Sequence, residues 1–215
     1  MKKYLFLFCL FCAFIINAQN EQSALLMKEL GKVLGFSEVF TAEVQIVVGA
    51  TSEAAMRMNS TMYVGKNAVR TEMELPGGLA NLTSLIIFDG ENAQPKAYML
   101  SPEQKVYSEL PAKLPAKIGR SKEELSYKII EAGEEIIDGK KCLKKELQDS
   151  NGKIINIWLL QEGNVPLRVS MREKGVLVML NFISFTADKV DEALLKIPED
   201  YQKGSALGSL LNLAK

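Results

Sequence analysis

The sequence contains no histidine among its 215 residues. Histidine is the commonest general base near neutral pH, it activates serine and cysteine nucleophiles, and it is a frequent zinc ligand. Its absence excludes Ser-His and Cys-His catalytic pairs. The sequence also has no clustered-aspartate calcium loop and no glycine-rich phosphate loop. We therefore expect a protein that is not an enzyme and has no metal or other cofactor. An enzyme that uses carboxylates meeting across strands stays open as a third alternative.

Cysteine is scarce, and the charges balance. Two of the three cysteines, Cys9 and Cys12, lie in an apolar N-terminal run, and Cys142 is left without a partner for an internal disulfide. The fold must therefore rest on burial of apolar side chains. The 26 basic and 26 acidic side chains cancel, whereas binding to nucleic acid rests largely on neutralising phosphates. We expect no nucleic-acid partner.

The N-terminus has the pattern of a secretory signal. Two lysines follow Met1, residues 4–16 are uncharged and almost entirely apolar, and the small Ala18 precedes a cleavage point. A membrane-spanning helix needs about 20 apolar residues, more than this run provides. We expect a cleaved signal over residues 1–18 and one domain over 19–215. The mature protein would then lie in the periplasm or be secreted beyond the cell.

Two-residue periodicity dominates the mature chain. Apolar and polar residues alternate over 40–48, 54–64 and 67–75, as is typical of half-buried strands. An apolar run at 85–88 and further strands over 96–100, 105–109, 127–131, 140–148, 153–161, 165–173 and 175–186 complete the set. The last strand is apolar at successive positions, so we expect cover on both of its faces. The pattern predicts a mainly β domain with antiparallel strands.

Few helices are predicted. Residues 22–34 have apolar side chains at helical spacing, and Gly35 follows as a C-terminal cap. Residues 76–84 form a short helix or loop, and residues 205–215 a weak helix.

The second strand places several methionines on one face. Met56, Met58 and Met62 recur at every second or fourth position, and Met73 of the next strand lies on the matching face. Methionine is unbranched and polarizable, so it suits surfaces that accept apolar partners of variable shape. An ordinary hydrophobic core is the alternative interpretation of the same pattern.

Several short segments resemble the outer-membrane lipoprotein carrier and receptor (Lol-type) superfamily. Residues 62–72 are similar to its strand, turn and Arg-bearing strand, and residues 85–90 to an apolar strand that ends in Asp-Gly. Residues 195–201 are similar to its Phe-x-Ile-Pro-x-x-Tyr tail. The pattern Gly-x-Glu-x-Ile-x-Gly-x-x-Cys over residues 133–142 is closest to an uncharacterised periplasmic branch of the superfamily.

The resemblance implies a curved antiparallel sheet that forms an incomplete, half-open barrel with helices over its open side. It implies a periplasmic binding module for a lipid, an acyl chain or a lipoprotein held between the sheet and its lids. The N-terminal helix and residues 76–84 are the candidate lids, and Arg70 would pin a lid by bonding its backbone carbonyls. The expected apolar lining is Phe40, Val44, Ile46, Met56, Met58, Met62, Met73 and Trp158.

Two alternatives remain at this point. The domain could be a ligand-free structural or interaction domain of the cell envelope that contacts a protein partner. Arg70 could equally be a surface arginine paired with Glu72 or Glu74.

Overall fold

The computed structural model describes residues 27, 30, 31, 34–51, 55–74, 81–88, 95–110, 128–148, 152–173 and 175–204. Twelve strands lie within these ranges and form one sheet. They are β1 (Phe40–Gly49), β2 (Ala55–Val64), β3 (Ala68–Glu74), β4 (Asn81–Ile87), β5 (Lys96–Ser101), β6 (Val106–Leu110), β7 (Lys128–Ile137), β8 (Lys140–Gln148), β9 (Ile154–Leu160), β10 (Pro166–Glu173), β11 (Val176–Ala187) and β12 (Gln202–Lys203).

The sheet has the order β12-β6-β5-β4-β3-β2-β1-β11-β10-β9-β8-β7. Strands that follow one another in sequence pair antiparallel within β1–β6 and within β7–β11, and β1 pairs with β11 to join the two halves. Only β12 pairs parallel, with β6. Because β7 and β12 lie at the two edges, the sheet is not closed. The prediction of a mainly β, antiparallel domain is confirmed.

The two faces of the sheet bury different clusters. We call inner the face that carries Val44, Met62, Ile157 and Leu180, which belong to the main hydrophobic core. The opposite, outer face carries a smaller cluster around Leu85 and Leu100 near one end and another around Cys142 and Trp158 near the other.

A bulge changes the pattern of β11. Pairing with β1 shifts between Glu43 and Val44, which face Ser184 and Phe182, so Ile183 is the extra residue. A bulged residue is left outside the regular ladder, and Ile183 is 62% exposed. The prediction that β11 is covered on both faces is therefore wrong.

One helix is present near the start of the described chain, where residues 27, 30, 31 and 34 are helical. Gly35 ends it with φ of 79° and donates its N–H to the carbonyl of Gly31 at 2.8 Å. This left-handed conformation is the one that favours glycine after a helix, so the predicted cap is confirmed. No helix among the described residues is long and apolar enough to cross a membrane.

The second predicted lid is partly wrong. Residues 81–84 belong to β4, where Leu82, Thr83 and Ser84 are buried. Residues 75–80 lie outside the described part of the chain, as do the predicted signal over 1–18 and the predicted helix over 205–215. Helices that cover the open side of the sheet are thus not shown.

The outer face is covered near β3–β6 by a segment that was not predicted as a cover. Residues 188–204, here called the C-terminal strap, follow β11 and end in β12. Leu195 packs with Ala68, Leu85 and Leu100 of the sheet. Lys105 binds Asp200 at 2.8 Å and Lys203 binds Glu109 at 3.0 Å, so ion pairs hold the end of the strap.

Candidate functional site

Six of the predicted lining residues lie in one wall on the inner face. Phe40, Val44 and Ile46 of β1, Met58 and Met62 of β2, and Met73 of β3 belong to the same buried cluster. The strand register places Met62 opposite Ala42 and Met58 opposite Ile46. We call these six residues the inner wall. Because successive side chains of a strand point to opposite faces, the alternation in the sequence was sufficient to assign these residues to one face.

An aromatic group at one end of the inner wall was not predicted. Phe40 stacks on Phe185 with ring centroids 4.8 Å apart, and Phe36 and Phe182 meet Phe185 edge-on. Phe182 and Phe185 are three residues apart, a spacing that would put them on opposite faces of a regular strand. The bulge at Ile183 turns both toward the core. The sequence does not reveal where the bulge lies, so it gives no indication that Phe182 and Phe185 are in contact.

The described helix residues pack in the same buried cluster as the inner wall. Met27 and Leu30 are fully buried and Leu34 nearly so, all in the same cluster as the wall. Asn164, in the turn after β9, donates its side-chain amide to the carbonyl of Leu34 at 2.8 Å. The helix end is therefore fixed to the sheet by one hydrogen bond and by apolar contacts.

Two predicted lining residues do not join the wall. Met56 lies near the start of β2 and is 44% exposed. Trp158 packs on the outer face with Cys142, Ile137 and Leu167. Its neighbours in β9, Ile157 and Leu159, face the inner side, so Trp158 must face the other way.

Trp158 sits in a small polar network on the outer face. Its indole N–H donates to Glu135 at 2.7 Å, and the ammonium of Lys144 lies 5.4 Å from the ring centroid. Lys144 also binds Glu135 at 3.2 Å. The hydrogen bond from Trp158, and then that from Lys144, lowers the pKa of Glu135 below its ordinary value of 4.5. Nearby, burial raises the pKa of the Cys142 thiol, as expected for a buried apolar residue rather than a reactive one.

The fluorescence of Trp158, the only tryptophan, should report the titration of Glu135. A carboxylate with a depressed pKa stabilises the folded protein above its unfolded pKa, and this contribution is lost as the pH falls through the folded pKa. We expect a fluorescence change with a midpoint below pH 4.5 in the folded protein. Glu135→Gln should remove the transition. An unchanged transition in that variant would assign it to another group.

Arg70 lies on the outer face, opposite the inner wall. It is 8% exposed and donates its Nε–H to Glu72 Oε1 at 2.8 Å, with Nη2 at 2.6 Å from the same oxygen. Nη1 donates to the backbone carbonyl of Leu194 in the C-terminal strap at 3.3 Å. Arg70 thus contacts both an acidic neighbour and a backbone carbonyl, but that carbonyl belongs to the strap and to neither of the two predicted lids.

The described residues offer no metal site. No group of three or more acidic or cysteine side chains among them is close enough to hold an ion.

A family model described as "Domain of unknown function (DUF4412)" matches residues 40–165. The match runs from β1 to the end of β9 and leaves out the C-terminal strap. No curated protein matches the sequence.

Several solved structures are similar to this chain. An uncharacterised conserved protein from Thermus thermophilus is similar with a TM-score of 0.50 and 17% identity, over 86% of this chain and 99% of that chain. Lipoprotein LppX from Mycobacterium tuberculosis is similar with a TM-score of 0.45 and 12% identity, over 78% and 96%. A LolA superfamily protein from Nitrosomonas europaea is similar with a TM-score of 0.37 and 12% identity, over 74% and 90%. The family model confirms the predicted resemblance to an uncharacterised domain family, and the solved structures are similar to this chain at 17% identity or less.

Proposed function

Since the chain belongs to the family of the domain of unknown function DUF4412, whose description names no ligand, we propose a function from the inner wall itself. We propose that the protein is an exported periplasmic binding module for a lipid, an acyl chain or the lipid part of a lipoprotein. The ligand lies between the inner wall and the N-terminal helix. The signal over residues 1–18 and the location outside the cytoplasm are part of this proposal.

The observation that carries the proposal is the chemistry of the wall. Three methionines from two strands belong to the same buried cluster as Phe40, which stacks on Phe185. Methionine side chains adapt to irregular apolar shapes, and each buried methylene of an acyl chain contributes about 0.8 kcal/mol. A wall of this composition binds chains of different lengths without needing a specific polar contact.

The end of the N-terminal helix is suited to act as a hinge about which the helix moves away from the inner wall. Leu34 is the last helical residue, and Gly35 follows it with a positive φ. The fixed polar link we find at this end is the hydrogen bond from Asn164 to the Leu34 carbonyl. Movement of the helix about this end would expose part of the buried cluster that contains the inner wall while leaving the sheet intact.

A second candidate function is supported by the burial of the same residues. Phe40, Val44 and Met62 have no exposed surface at all, as in an ordinary filled core. A domain with such a core would act as a ligand-free structural or interaction module of the cell envelope. The two candidates differ in whether an apolar molecule enters the wall.

Native mass spectrometry of the purified full chain separates them. We expect a bound lipid or fatty acid, and we expect Met58→Gln to reduce the bound fraction about fivefold or more. The reason is that glutamine has a similar length but buries an unpaired amide, which costs about 1–3 kcal/mol.

Met56→Gln is the matched control, because Met56 lies on the same strand two residues away but is exposed. It should keep the bound lipid at the wild-type level. A folded protein without any bound apolar molecule would favour the ligand-free domain. Equal lipid binding by both variants would show that the lipid does not lie against the inner wall.

A further inference from the structure

Four buried residues that carry hydroxyl groups lie on the inner face of the sheet, next to the inner wall. They are Thr71 of β3, Ser84 of β4, Ser101 of β5 and Ser108 of β6, and each is 3% exposed or less. The strand register places Thr71 opposite Met62 of the inner wall, and Ser84 opposite Thr71. We call these four residues the hydroxyl patch.

Strand alternation assigns the hydroxyl patch to the inner face. Ala97 of β5 belongs to the same core cluster as the inner wall, so Ser101, four residues further along the strand, faces the same side. Leu100, its neighbour in β5, belongs to the cluster of the outer face. The other three residues of the patch are each two positions from an apolar residue that packs in the inner cluster. The patch therefore continues the surface of the inner wall across β3–β6.

The hydroxyl group of Ser101 has no hydrogen-bond partner. Among the described residues, its Oγ is the only buried side-chain oxygen or nitrogen in this condition. Ser60, on the same face, differs because its hydroxyl donates to the backbone carbonyl of Glu72 at 2.9 Å. Buried hydroxyl groups in proteins nearly always have a partner, and a hydroxyl can both donate and accept. A polar group of a bound ligand would supply the partner that Ser101 lacks.

The inner face next to Ser101 is polar but uncharged. In the six strands from β1 to β6, every described position on this face is apolar or carries a hydroxyl group. A carboxylate or phosphate buried against these strands would have no cation beside it, which is strongly unfavourable. An ester carbonyl has no charge and accepts a hydrogen bond from a hydroxyl, so it matches this surface.

We propose that the hydroxyl patch makes the site prefer fatty-acyl esters to free fatty acids. The inference rests on the proposed function, in which an acyl chain lies against the inner wall. Ser101 donates its hydroxyl hydrogen to the ester carbonyl, and the acyl chain extends from there toward Met62. The strands β5 and β2 are three positions apart in the sheet, about 14 Å at the usual strand spacing, which a long acyl chain covers.

Isothermal titration calorimetry of the full chain at neutral pH tests this with two probes that share one acyl chain, 1-lauroylglycerol and laurate. We expect the uncharged ester to bind about tenfold or more tightly than the carboxylate, because only the carboxylate buries a charge. Ser101→Ala should weaken binding of 1-lauroylglycerol about fivefold, the loss of one uncharged hydrogen bond. Binding of laurate should be unchanged in this variant.

Urea unfolding of the ligand-free protein separates a binding role of Ser101 from a structural one. Ser101→Ala should not lower the unfolding midpoint, since its hydroxyl has no partner to lose. Ser60→Ala is the matched control, because it removes a hydroxyl of the same face that is already bonded within the protein. It should lower the unfolding midpoint and leave the tenfold preference for the ester unchanged.

The outcomes distinguish this inference from the function on which it rests. Laurate that binds as tightly as 1-lauroylglycerol, or ester binding that is unchanged in Ser101→Ala, would overturn the preference while leaving an apolar site in place. Binding of neither probe would overturn the proposed function, and the preference with it.

Discussion

Replacing Leu195 by alanine should lower the free energy of unfolding by about 2–5 kcal/mol, the usual cost of truncating a buried leucine. Leu195 is the residue of the C-terminal strap that is most deeply buried against the sheet, in a pocket formed with Ala68, Leu85 and Leu100. The loss should appear in urea unfolding as a lower midpoint with an unchanged slope.

Gly65 makes room for Leu195. A methyl group built on Gly65 would overlap the Cδ1 atom of Leu195. Gly65→Ala should therefore push the leucine out of its pocket, and such overpacking costs about 1–3 kcal/mol. In a protein that already carries Leu195→Ala the same glycine substitution should cost almost nothing.

The double variant measures the contact directly. Residues in contact show non-additive effects of about 0.5–3 kcal/mol, whereas distant residues add. Strict additivity of Gly65→Ala and Leu195→Ala would show that Gly65 acts through its own backbone and not by receiving the strap.

Replacing Arg70 by methionine should cost about 2–3 kcal/mol. The apolar stem is kept, but two charged contacts to Glu72 and one to the Leu194 carbonyl are lost. Hydrogen bonds to charged groups contribute about 1.5–3 kcal/mol each. Because the Glu72 side chain is 37% exposed, its hydration offsets part of the free energy lost with these contacts.

Hydrogen exchange tells whether Arg70 holds the strap. Backbone amides of residues 190–201 should exchange faster in Arg70→Met, while those of β2 and β3 should change little. Arg172→Met is the control, since Arg172 is exposed and donates to the Ala50 carbonyl at 3.2 Å away from the strap. If Arg70→Met lowers stability without faster exchange in the strap, Arg70 supports only the sheet.

The inner wall was largely predictable from the sequence, for a simple physical reason. β1, β2 and β3 alternate regularly, so one choice of face assigns Phe40, Val44, Met58 and Met62 together. Trp158 could not be assigned in this way. In β9 the residues from Ile157 to Leu160 are all apolar, so alternation gives no indication of which of them face inward.

Bulges account for other differences. β7 extends from Lys128 to Ile137, although only 127–131 was predicted, because the register shifts between Glu131 and Gly133 and interrupts the alternation. The bulge at Ile183 likewise explains why the contact between Phe182 and Phe185 was not predicted. β4 was predicted too short because its first half carries polar residues, and Thr83 and Ser84 are buried there all the same.

The C-terminal strap could not be predicted as a cover for a different reason. Leu195 lies more than 90 positions from Leu85, Leu100 and Ala68 in the sequence, and its pocket exists only after β3, β4 and β5 have paired. The sequence of a short apolar segment after β11 does not indicate which strands the segment will contact. The partner of Arg70 in the strap was hidden for the same reason.

Photo-crosslinking tests whether an apolar chain lies against the inner wall. A fatty acid that carries a diazirine near the end of its chain is irradiated with the purified full chain, and the modified peptides are identified by mass spectrometry. We expect adducts on β1 and β2, at residues such as Met58 and Met62, and on the helix at Met27. Adducts confined to the outer face, at the C-terminal strap or around Ile183, would contradict it.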